Sequence, residues 1–90
     1  MEQDQNPPKI EFPCRYPIKV LGDAREDFID RVFEIMHSHA PEIDRNAVTT
    51  RPSRNGTFVS VQIVILATGV DQLQNIHQSL LRYEAVKMVI

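Results

Sequence analysis

Apolar and polar residues alternate with two different periods along this chain, and the switches between them outline its elements. In "RYPIKVL" (15–21), Tyr16, Ile18 and Val20 share one side while Lys19 lies on the other, the period of a strand. Pro17 cannot donate to a ladder, so regular pairing is expected to begin after it or to break there. "GDARE" then predicts a helix start, with Asp23 in the capping position, Glu26 three residues on, and Gly22 allowing the tight turn. From Ala24 to about His39 the apolar residues Ala24, Phe28, Ile29, Val32, Ile35, Met36 and Ala40 fall on one helical arc, with Phe33 at its margin. Glu26, Asp27, Asp30, Glu34 and His37 point the other way, and Pro41 ends the helix.

Beyond the helix, "NAVTTRPS" (46–53) reads as a short strand whose Pro52 places it at a sheet edge. Asn55-Gly56 turns the chain, since both residues tolerate positive φ. "TFVSVQIVILAT" (57–68) is the strongest strand, Val59, Val61, Ile63 and Ile65 alternating with Phe58, Ser60, Gln62 and Val64. Thr68, with Asp71 three residues on, predicts the cap of a second helix whose apolar stripe is Val70, Leu73, Ile76, Leu80 and Leu81. "AVKMVI" (85–90) closes the chain as a strand. The order β-α-β-β-α-β predicts an α+β, ferredoxin-like two-layer sandwich: a four-stranded antiparallel sheet in the order 4-1-3-2 with both helices on one face. Residues 1–11 read as a flexible tail and 12–90 as a single domain.

Composition narrows the functional classes. A net charge of −2 argues against nucleic acid as the main partner. Over the third strand, an RNA-recognition pattern finds Arg54, Phe58 and Val59 in place but Gly56 and Val61 where aromatics are needed. No apolar run approaches the roughly 20 residues that span a bilayer, and the polar N-terminus has no signal-peptide h-region. With the lone Cys14, a cytoplasmic location is expected.

Catalytic signals are weak. Gly22 and Arg25 stand where an acylphosphatase-like hydrolase would cradle phosphate, but Asp23 would repel it. His37 and His39 diverge on a helix, so no metal site is expected. No cofactor is expected either. Phe58, Val64 and Leu66 share the parity opposite to the core, and an apolar second sheet face suggests docking of a protein partner or a second copy. The edge strands offer a copy another route.

"EFPCRYPIKVLG", "HAPEID", "RPSRNGTFVSVQIVILAT" and "VKMVI" resemble the YbeD-like family of small proteobacterial proteins. The resemblance runs from about Glu11 to Ile90 and departs at Ile76-His77 and at Tyr83-Glu84-Ala85. It implies a fold similar to the ACT regulatory domains, which pair through sheet edges and bind small effectors near the loop after the first strand, here Leu21 to Ala24. It also implies a gene neighbourhood of lipoate attachment. The expectation is a non-catalytic regulatory module acting through a small ligand, a protein partner or both, with Gly22, Asp23, Arg51, Ser53 and Arg54 as ligand candidates. The alternative is an adaptor using Phe58, Val64 and Leu66.

Overall fold

The computed structural model describes residues 11–90. The expected tail, apart from Glu11, lies outside the described residues. The elements run β1 (Cys14–Asp23), α1 (Phe28–His39), a 3₁₀ turn (Arg45–Ala47), β2 (Thr49–Pro52), β3 (Phe58–Ala67), α2 (Val70–Arg82) and β4 (Val86–Val89). The sheet is antiparallel in the order β2-β3-β1-β4, so β2 and β4 are its edges, as the sequence predicts. One core joins Ile18 and Val20 of β1, Val61, Ile63 and Ile65 of β3, Phe28, Val32 and Met36 of α1, and Ile76 and Leu80 of α2. Both helices therefore cover a single face, and the other face is open.

Several local expectations are corrected. Pro17 interrupts nothing: β1 pairs with β3 along its whole length, Pro17 opposite Val64. The reason is direction. Lys19 exchanges backbone hydrogen bonds with Ile90, at 3.2 and 2.8 Å, so odd residues of β1 turn their amides toward β4. At the level of Pro17 β4 has already ended, and a missing N–H there costs no ladder bond.

Asp23 is not a helix cap. It is the last residue of β1, its N–H donating to Ala85 O at 2.9 Å, and α1 starts only at Phe28 after a turn. Ala24 is consequently exposed. Residues 45–47 coil into the 3₁₀ turn, with the Asp44 side chain accepting from Asn46 N, and β2 is shorter than expected. In the β2–β3 turn only Gly56 takes a positive φ, 76°, and Asn55 acts through its side chain. Its Oδ1 accepts from Thr57 N at 3.2 Å and from Ser53 Oγ at 3.1 Å. At α2 the N-cap is Gly69, and Gln72 rather than Asp71 reaches back, its Oε1 accepting from Thr68 N at 2.8 Å. Val70 and Leu81, placed in the apolar stripe, are 55% and 49% exposed.

Candidate functional site

Strand alternation sorts every side chain of the sheet onto the core face or the open one. Register then arranges the open face in rows. Asp23 stands beside Phe58, whose backbone partner across the next strand is Ser53. One step along, Leu21 meets Ser60 and Met88, and Ser60 meets Arg51. In the next row Lys19 meets Gln62, and Gln62 meets Thr49. Val64 and Leu66 continue the face beside Pro17 and Arg15. The structure thus brings Asp23 and Ser53 into the row at one end of the sheet and Arg51 into the next row, a proximity the sequence left open.

Two of the ligand candidates are occupied by the fold. Gly22 is buried, and a Cβ built on it would lie 2.3 Å from Ala85 O and 2.4 Å from the Phe28 ring. It is a packing position, closed to a ligand on its core side. Ser53 Oγ accepts from Phe58 N at 3.0 Å and closes the hairpin turn. Arg54, at that turn, is exposed.

Asp23 is engaged as well. Its Oδ2 lies 3.6 Å from Lys87 Nζ and 4.0 Å from Arg25 Nη2, and Arg25 donates to Glu84 Oε2 at 2.9 Å. The loop after β1 is therefore a closed charge network, and it offers no helix N-terminus to an anion. The hydrogen bond from Arg25 holds the Glu84 carboxyl below its ordinary pKa, and the same bond raises that of Arg25. A depressed carboxylate pKa contributes stability above the unfolded value and loses it as pH falls. The melting temperature of Glu84→Gln is thus expected slightly below that of the parent at pH 7. The gap should close as pH drops below about 4.3, the ordinary glutamate value. A pH-independent gap in paired melts would show that the ion pair is not its source.

Two of the three histidines make packing contacts. His39 Nε2 lies 3.0 Å from Ser79 Oγ and ties α1 to α2, while His37 stacks on Phe33 with centroids 5.6 Å apart. His77 is exposed on α2. Among the described residues, no His, Cys, Asp and Glu side chains gather in a group of three or more able to hold a metal ion. Between the helices, the Tyr83 hydroxyl is buried without a partner among the described residues.

The two sides differ in charge balance. The carboxylates Glu26, Asp27, Asp30 and Glu34 lie on or just before α1, where Arg45 pairs with Asp30 and Arg31 with Glu34. The open face carries Arg15, Lys19, Arg51 and Lys87 against Asp23. It also exposes apolar surface, with Phe58 at 38%, Leu66 at 46% and Met88 at 50%. In the middle of this face, Lys19, Arg51, Ser60, Gln62 and Thr49 line a shallow trough of about 380 Å³ that no acidic side chain borders.

The family model described as "Protein of unknown function (DUF493)" matches residues 7–90. The chain belongs to the DUF493 family. Its curated relatives carry the family name UPF0250. One from Azotobacter vinelandii is 54% identical over 90 residues, covering 99% of this chain and 98% of its own. One from Neisseria gonorrhoeae is 36% identical over 89 residues, with the same coverage of 99% and 98%. The YbeD-like resemblance is to this same group. Among solved structures, Protein HP0495 from H. pylori superposes with a TM-score of 0.73 at 16% identity, over 100% of this chain and 94% of that one. The uncharacterized protein TM1266 from Thermotoga maritima gives 0.62 at 18%, over 84% and 92%. Both likenesses bear on the DUF493 fold alone. Among the described residues, no helix is long and apolar enough to cross a membrane.

The sequence reading did not single out Lys19, which lines the same trough as Arg51. The signal was present: the Asn55-Gly56 turn fixes the β2–β3 register, and the strand order sets β1 beside β3. Parity then places Lys19 and Arg51 on one face.

Proposed function

We propose that this DUF493 protein is a non-catalytic cytoplasmic module of regulatory type whose working surface is the open face of its sheet. The observation that carries the reading is the excess of cations over carboxylates on that face. Although the net charge is −2, the open face carries Arg15, Lys19, Arg51 and Lys87 against the Asp23 carboxylate, and it exposes Phe58, Leu66 and Met88. Such a face attracts an anionic ligand and gives it apolar contact. This moves the ligand region from the loop after β1, where Asp23, Arg25, Lys87 and Glu84 satisfy one another, to the middle of the sheet. The same network argues against acyl-phosphate hydrolysis at that loop.

The adaptor role is the second reading, favoured by the exposure of Phe58, Leu66 and Met88. Its partner would present carboxylates with apolar anchors. A second copy would pair through β4 rather than β2. Ser53 N donates to Phe58 O, so alternation turns Thr50 and Pro52 outward, and Pro52 has no N–H to give.

A thermal-melt panel of amino acids, octanoyl and lipoyl compounds, nucleotides and divalent metals tests the module, the acyl compounds entering through the lipoate neighbourhood that the family resemblance implies. A ligand at 100 times its Kd adds about 2.7 kcal/mol, which moves the midpoint of so small a domain by several degrees. The ligand that shifts the melt is expected to perturb amide resonances of Lys19, Arg51, Phe58 and Leu66. A ligand whose perturbations gather on α1 and α2 instead would sink the open-face reading.

A further inference from the structure

We infer that the trough between β1 and β2 is a binding site for a compact oxyanion, a carboxylate or a phosphate, held between Lys19 and Arg51 over Ser60. The inference rests on the open-face reading and narrows it to named groups. Lys19 and Arg51 stand on strands that flank β3, and the residues between them are Gln62 and Ser60. These two long cationic side chains, rooted on either side of the middle strand, line one cavity together with the Ser60 hydroxyl and the Gln62 amide. Thr49 adds a second hydroxyl at the rim.

The neighbouring charges set this place apart from the rest of the face. At one end of the sheet Arg15 shares its surroundings with Glu42. At the other, Lys87 lies 3.6 Å from the Asp23 carboxylate. Between them, the cavity over Ser60 and the adjoining hollow at Leu21 and Ile90 are both lined by Lys19 and Arg51, and the cavity over Ser60 has no carboxylate in its lining. Two cations held near one another without a counter-charge lower each other's stability, and an anion between them relieves that repulsion. Arginine supplies planar, paired donors that match the two oxygens of a carboxylate or the edge of a phosphate, and lysine supplies a mobile point charge. Leu21 and Ile90, at the side of the hollow, give the remainder of such a ligand an apolar bed.

The test is a titration of the full chain followed by amide NMR, with sodium phosphate and sodium acetate as separate probes and sodium chloride at matched ionic strength as control. Saturable shifts centred on Lys19, Arg51 and Ser60 are expected with an oxyanion and not with chloride. The stronger of the two probes tells phosphate from carboxylate recognition. In the variant Lys19→Gln/Arg51→Gln the dissociation constant is expected to rise about tenfold or more, the loss of charge-assisted bonds. Arg82→Gln, on α2, should leave it within about twofold. Shifts that grow linearly with probe, match chloride, or survive the double substitution would overturn the site. They would leave the open-face module standing, because that reading is judged by whichever ligand moves the melt and by where its resonances map.

Discussion

Replacing Gly22 by alanine is expected to lower the stability of the domain by about 1–3 kcal/mol, with the upper end favoured by what the new methyl meets. The ideal Cβ lies 2.3 Å from Ala85 O and 2.4 Å from the Phe28 ring. The ring can tilt, but the oxygen is backbone and already accepts Asp23 N at 2.9 Å, so β4 itself must move away from β1. In a chain this small each kcal/mol lowers the thermal midpoint by about 4–8 °C. The other glycines supply the comparison. A Cβ at Gly69 meets nothing within 4 Å, and its φ of 173° is extended backbone open to any residue. Gly69→Ala should be neutral or stabilising by about 0.4–1 kcal/mol through the unfolded chain. Gly56 also faces open space but holds φ 76°, so its alanine variant loses about 1 kcal/mol from backbone strain alone. Denaturant melts of the three variants should rank Gly22→Ala as the most damaging. Equal losses at all three would remove the packing explanation.

Gly22 also shows where sequence reasoning reaches and where it stops. The element order was legible because hydrophobic period is a local property: Val59, Val61, Ile63 and Ile65 alternate whatever they pack against, and Phe28, Val32 and Met36 recur on a helix face. The need for glycine at position 22 was legible too, but its cause was not. A tight turn is a local explanation; the actual neighbours, Phe28 and Ala85, come from other elements. The caps failed for a related reason. Asp23 and Glu26 spell a helix start, yet the ladder to Phe58 and the bond to Ala85 O keep Asp23 in the strand. Tertiary pairing overrides a local signal of comparable strength.

The candidate site follows the same division. Arg51 drew attention because it sits in a conspicuous turn sequence, whereas Lys19 sits alone in an ordinary strand. Their place on one face depends on the register of separate strand pairs, and a slip of one residue in either would send one of them to the core face. The face carrying Phe58, Val64 and Leu66 was readable from parity within a single strand. Its charge pattern was not, since it combines residues from every strand of the sheet.

The largest loss is expected at the residue above Gly22. Phe28 is fully buried, stacks on Tyr83 with centroids 5.8 Å apart, and joins α1 to the β1–β4 end of the core. Phe28→Ala should cost about 3–5 kcal/mol, a substantial part of the 5–15 kcal/mol that usually holds a domain folded. Phe28→Leu is the variant for measurement, because it keeps most of the volume while withdrawing the ring edge that crowds Gly22. If the ring sets the limit at position 22, Gly22→Ala should cost less in the Phe28→Leu background than in the parent. A coupling of about 0.5–3 kcal/mol is the range seen for residues in direct contact. Compensation should stay incomplete, since the Ala85 oxygen at 2.3 Å is untouched by the change. Strict additivity in the double-mutant cycle would show that the strand contact alone forbids a side chain there, and that Phe28 packs over the glycine without depending on it.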